Sequence, residues 1–267
     1  MTFRFVLQLV GMFVVPLAAV IIPVLIGQNI GLYWSKKQTD IPHESIGSVV
    51  SAAFGLLAFM LAFTFQIAAN RYEGRKTMLL EETKDIRIAY MRSGLLPEPF
   101  CTNSKNHLMD YVNVRAELAM DHSILRSAIA RSRVILDSLW KYSEQLAVQD
   151  RSSEVYALYT TSINDLVDGL NDRITMVLVY RIPFAIIWVL FIMVFLSMLA
   201  LGYQFGVTGK ESFGINMLLA TIFAVVMFLI NALDRPERGL ISVDPRPLFT
   251  LQKELNGKQM NTLNFQK

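Results

Sequence analysis

The chain has one cysteine and three histidines among its 267 residues. Cys101 has no second thiol to pair with, so an intrachain disulfide is excluded. So few soft ligands also give no basis for a zinc or di-iron centre. Gly-rich phosphate loops, nucleophile elbows and catalytic-triad signatures are missing as well, so no enzyme, cofactor or metal is expected. A net charge of +3, with no basic stripe, leaves no nucleic-acid footprint. The largest gap is in charge itself. Residues 5–35, 45–70, 182–209 and 212–233 contain no Asp, Glu, Lys or Arg, and all 25 basic and 22 acidic residues fall outside them.

Each of these windows is longer than the ~20 apolar residues that carry a helix across the hydrocarbon core of a bilayer. A soluble domain would have to bury all four inside a small polar remainder, and 53% apolar content is far above the range of disordered chains. The first window is too long for the about 7–15 apolar residues of a signal peptide, and no Ala-x-Ala cleavage site follows it. The reading is an all-α, polytopic membrane protein with four transmembrane helices and a cytoplasmic helical bundle. Residues 1–70 hold transmembrane helices 1 and 2, and 71–182 form the cytoplasmic domain. Residues 183–233 hold helices 3 and 4, and 234–267 are a cytoplasmic C-terminal tail.

Orientation follows from the cations beside the spans. Arg71, Arg75, Lys76, Arg173, Arg181, Arg235 and Arg238 lie on one side, and Lys36, Lys37 and Lys210 on the other. The positive-inside rule places both termini in the cytoplasm. Tyr33, Trp34 and Tyr203 fall near the outer ends, where an aromatic belt is expected. Pro16 and Pro23 interrupt the backbone bonding of the first span. Nothing stops the second before Ser93-Gly94, so one helix is predicted from about Ile46 to Leu95. Leu108, Tyr111, Val112, Arg115 and Leu118 share one helical face, and Ile124, Ala128, Ile135, Leu139 and Leu146 another, with a turn near Asp121-His122-Ser123. A further helix starts near Asp150–Ser153 and runs toward Tyr180.

The second span is the informative one. Ser48, Ser51, Gly55, Ala58, Ala62, Gln66 and Ala69 fall within an arc of roughly 80° when laid out at about 100° per residue. Small residues let helix backbones approach, and the same residue types sit comfortably beside water. Both readings remain open on spacing alone. Phe59, Phe63 and Ile67, each four apart beside this arc, would stack as successive apolar rings if several copies surrounded an axis. None of the spans carries an ionisable residue, which argues against a coupled transporter or voltage sensor.

These residues also resemble a known family. Gly55 to Pro97, with its "RYEGRK" run at Arg71 to Lys76, is similar to the core motif of the bacterial bestrophin-like membrane proteins. "RIPFAIIWVLFIMVFLSMLALGYQFG" (181–206) and "DRPERGLISVDPRPL" (234–248) resemble the third span of that family and the segment after its fourth. Lys84 stands where the family usually has Asn, and the acidic calcium clasp of animal bestrophins has no counterpart, so calcium gating is not implied. The resemblance implies a subunit of the bacterial inner membrane that assembles as a homo-oligomeric ring, a pentamer, among membrane lipids. It also implies a pore for small ions lined by the second span. The pore-lining and neck candidates are Ser51, Gly55, Phe59, Ala62, Phe63, Gln66 and Ile67, among which the neck is Phe59, Phe63 and Ile67.

Asn70, Arg71, Glu73, Arg75, Lys76, Asp234 and Arg235 form a candidate charge cluster at the pore mouth. Its cations would either anchor to lipid headgroups or raise the local anion concentration. Glu81 with Asp85 and Glu117 with Asp121 share faces, and Lys84 and Arg115 beside them make salt bridges the expected role. Two functions stand: passive conduction of small ions, anions included, or a non-conducting scaffold or signalling protein whose cytoplasmic domain binds a partner.

Overall fold

A computed structural model describes residues 3–37, 43–178, 182–209, 213–234 and 241–265, and every described element is helical. The helices are α1 (Phe3–Lys37), α2 (His43–Ser93), α3 (Phe100–Met120), α4 (Leu125–Gln149), α5 (Glu154–Leu178), α6 (Phe184–Thr208), α7 (Phe213–Asp234) and α8 (Arg246–Phe265). A single 3-10 turn, His122–Ile124, separates α3 from α4. It is held by the Asp121 carboxylate, which accepts from Ser123 N–H at 2.8 Å. Two compact units result: Met1–Tyr72 with Arg181–Ser242, and Glu73–Tyr180 with Val243–Lys267.

In the first unit, Val14–Lys37 of α1, Ile46–Ser93 of α2 and Phe184–Thr208 of α6 are long and apolar enough to cross a membrane. In α7, a 22-residue helix, the described apolar stretch is Thr221–Asp234. Glycines set the closest packing. Gly27 and Gly31 of α1 lie against the backbone of Leu199 and Tyr203, and Gly202 and Gly206 of α6 lie against that of Val24 and Gln28. Rising numbers in α1 meet rising numbers in α6, so the two helices run parallel. Each contributes a small-x-x-x-small pair, the spacing that brings membrane helices into backbone contact. Pro16 and Pro23 both lie inside α1, which continues through them.

α2 runs the opposite way to α6. Gly47 lies near the Gln204 amide, whereas Ala53 O accepts a 3.5 Å bond from Ser197 Oγ. α2 is parallel to α7, since Phe54 meets Phe223 at 6.0 Å between ring centroids and Arg71 meets Asp234 further along both helices. The core between them is filled by Val20, Val24, Leu57, Leu61, Ala68, Leu190, Val194, Met198, Phe223 and Met227. Gly209, at φ 65°, ends α6 in the left-handed conformation that glycine reaches without steric cost, and its N–H closes onto Phe205 O at 3.1 Å.

The second unit is a helical bundle. Leu79, Ile86 and Tyr90 of α2 pack with Leu108, Tyr111 and Val112 of α3, Leu139 and Leu146 of α4, and Tyr159, Ile163 and Leu166 of α5. The buried Tyr159 hydroxyl is 2.9 Å from Ser104 Oγ, and burial pushes its pKa up to about 12, so it stays neutral. Two expectations change here. Residues 234–267 are more than a tail, because α8 turns Leu248, Leu251 and Leu255 into the bundle core. Their spacing of three and four residues is the helical signal that the composition of this segment hid. Arg115 does not bridge Glu117, which pairs instead with Arg131 at 2.7 Å. Arg115 turns inward to Glu82, at 2.8 Å, with only 5% of its side chain exposed. A cation on an otherwise apolar face is soluble there because a buried carboxylate meets it.

Candidate functional site: the open face of α2

α2 buries a narrow stripe and leaves the rest of its apolar stretch open. Leu57, Leu61, Thr64 and Ala68 turn into the core of the first unit, and the Thr64 hydroxyl is satisfied by Met60 O at 2.7 Å. Only 17% of the apolar window of α2 is buried, against 33% for α1 and 22% for α6. The open side carries Ser51, Gly55, Ala58, Phe59, Ala62, Phe63, Gln66 and Asn70, all exposed. A side chain added at Gly55 would meet nothing within 4 Å. Phe59 and Phe63 are 65% and 49% exposed, a large aromatic area for one helix to leave without a protein partner. Ile67 differs from these two, being half buried against the core of the first unit.

The polar end of this face is locally bonded. Gln66 Nε2 donates to Asn70 Oδ1 at 2.7 Å, one helical turn on. Next to Asn70, Arg71 pairs with Asp234 at 3.3 Å, with side-chain exposures of 13% and 7%. Asp234 Oδ1 also accepts from the Ile182 N–H at 3.4 Å, so one carboxylate ties the middle of α2 and the end of α7 to the residues just before α6. An ion pair this dry is held against its desolvation cost by the extra hydrogen bond. Among the remaining candidates, Glu73 and Lys76 form an exposed pair at 3.3 Å within the second unit, and the Arg75 side chain there is half buried. Arg235 lies outside the described residues.

Sequence spacing missed two constellations. One is the pair of glycine motifs that joins α1 to α6, visible in the sequence as Gly27-x-x-x-Gly31 and Gly202-x-x-x-Gly206. The other is the buried carboxylate of Glu82, which no local pattern marks. Its Oε1 accepts from the Tyr111 hydroxyl at 3.1 Å and faces Arg115, and its Oε2 faces Arg173. Burial lowers the pKa of Arg115 and raises that of Tyr111, which keeps the phenol a neutral donor.

Four helices whose directions alternate, one of them prolonged into a second helical unit and keeping an apolar face open, fit the family whose motifs the sequence resembles. The description "Bestrophin-like domain" matches residues 18–248. The chain belongs to the bestrophin-like family. Solved structures share the fold. Two variants of a bacterial bestrophin homologue from Klebsiella pneumoniae match at 15% identity, each over 94% of this chain and 98% of the other, with TM-scores of 0.62 and 0.60. A variant described as a membrane protein matches at 14% identity over 95% of this chain and 97% of its own, with a TM-score of 0.61. No curated protein matches the sequence. Membership of the bestrophin-like family makes this a membrane protein of bestrophin fold.

Proposed function

We propose that this bestrophin-like chain is one subunit of an oligomeric ion channel. Each of its four membrane helices crosses the bacterial inner membrane, both termini lie in the cytoplasm, and five copies close a ring with α2 toward the axis. Small ions, anions included, pass down their gradient along the face that carries Ser51, Gly55, Ala62 and Gln66, and the rings of Phe59 and Phe63 form its neck, with Ile67 at the edge. One observation carries this reading: α2 fills the core of its own subunit with Leu57, Leu61 and Ala68 while leaving its opposite side, small residues and two phenylalanines, without intrachain cover. Water beside Ser51 and Gln66 costs little, and a ring of apolar side chains admits or blocks ions by wetting and drying. The absence of ionisable side chains in residues 45–70 suits passive flow. The polar and charged residues at the inner end, Asn70, Arg71, Glu73, Arg75, Lys76, Asp234 and Arg235, would border the mouth.

The test is flux from liposomes containing the purified protein, with subunit number read from native mass spectrometry. A pentamer with salt-dependent small-ion flux is the expected result, and Phe63→Ala should raise that flux severalfold by removing a hydrophobic ring. Phe63 is half exposed in the subunit, so its truncation leaves the protomer core intact. A stable oligomer with no flux under any salt would favour the scaffold, and a monomer would leave α2 no axis to line.

A further inference from the structure

A second feature of the first unit lies away from the open face of α2. An apolar groove of about 380 Å³ runs between α1, α2 and α6, lined by Ile30, Val49, Val50, Leu199, Ala200 and Tyr203 among others. It is open at the side and nearly devoid of polar surface, which in a membrane makes it a slot for hydrocarbon. Its rim is different. Ile30, Tyr33, Trp34 and Lys37 recur on α1 at intervals of three and four residues, so the groove residue Ile30 lies on the same helical face as a terminal lysine. Tyr33 and Trp34 stand edge to face at 6.3 Å between ring centroids, and Lys37 Nζ sits 6.0 Å above the Tyr33 ring. Lys36 follows in the same last turn, and both lysines are exposed. The order along α1 is therefore an apolar slot, an aromatic pair at headgroup height, and two cations.

That order matches a phospholipid from its tail upward, and the charge selects the headgroup. We propose that this groove is a binding site for one anionic phospholipid, with an acyl chain lying between α1, α2 and α6 and its phosphate held by Lys36 and Lys37. A zwitterionic lipid would fill the same slot but carries a choline cation that competes with the lysines for its own phosphate. An attraction of about fivefold per lysine is the size expected for a cation beside an anionic lipid surface, and it should weaken as salt is added.

The proposal does not require conduction, and neither does its test. Full-length protein in detergent is titrated with dioleoyl phosphatidylglycerol or dioleoyl phosphatidylcholine, and bound lipid is counted by native mass spectrometry. The expected result is one tightly retained phosphatidylglycerol per subunit, roughly tenfold or more preferred over phosphatidylcholine. The double variant Lys36→Gln/Lys37→Gln should bring that preference close to unity while still binding both lipids. Val49→Trp, at a groove position that is 65% exposed and so tolerant of size, should weaken retention of both lipids together without changing the melting temperature in lipid-free detergent. Equal retention of the two lipids by the unaltered protein would overturn the proposal. So would a preference that survives loss of both lysines, or retention that Val49→Trp leaves unchanged.

Discussion

Gly202→Val is expected to cost about 3 kcal/mol of stability, at the upper end of the range for overpacked sites. A Cβ on Gly202 would overlap the carbonyl of Val24, and one on Gly206 that of Gln28. The neighbour in each case is backbone, which cannot rotate aside as a flexible side chain would, so α1 and α6 must separate along their whole contact. The loss therefore includes the dispersion contacts of Val24, Val194 and Met198 in the surrounding core. Gly202→Ala should already be destabilising, although alanine is the better helix former. Gly169 of α5 gives the opposite sign. Nothing lies within 4 Å of a Cβ there, so Gly169→Ala should stabilise by about 0.5–1 kcal/mol through helix propensity alone. Thermal melting of the three variants in one detergent measures both signs. A Gly202→Ala protein that melts at or above the unaltered one would show that the glycine contact is not a constraint.

The contrast between these glycines bears on how much the sequence discloses. The charge-free windows, the unbroken run of α2 and the turn at Asp121-His122-Ser123 depend on properties of contiguous residues, and each is legible without a partner. The exposure of Phe59 and Phe63 follows from their position opposite Leu57 and Leu61 on one helix and is legible in the same way, whereas the packing of Ile67 against the core of the first unit is not. What depends on a second element is not. Gly27 and Gly202 look like any other membrane glycines until the facing backbone is in place. Arg115 reads as a partner for Glu117, two positions on, because sequence offers only local carboxylates; the one it meets is 33 positions earlier, on a different helix. α8 was hidden for a related reason. Its Leu248, Leu251 and Leu255 are too few to announce a core helix, yet the bundle gives them one face to cover.

Glu82→Gln should produce the other large effect, about 3–5 kcal/mol, because it removes the only anion from between two arginines. Glu82 and Arg115 have side-chain exposures of 4% and 5%, and Arg173 of 23%. With the carboxylate present, Arg115 and the Tyr111 hydroxyl share Oε1 while Arg173 takes Oε2, so both oxygens and both cations are served. A glutamine keeps the shape but offers one acceptor oxygen and turns an NH2 group toward one of the guanidiniums. The two positive charges then face each other in a poorly solvated space. Arg173→Gln should cost less, since its side chain is the more exposed and the Glu82–Arg115 pair remains neutral without it. Replacing all three by apolar side chains (Glu82→Met, Arg115→Leu, Arg173→Leu) should recover most of the loss, because it removes the charges rather than stranding them. Denaturant unfolding of the full chain, followed by fluorescence, orders the variants. A Glu82→Gln protein within about 0.5 kcal/mol of the unaltered one, the range of an ordinary surface change, would mean that water reaches these arginines. α2, α3 and α5 would then be joined chiefly by their apolar core and by the Ser104–Tyr159 and Arg92–Leu158 hydrogen bonds.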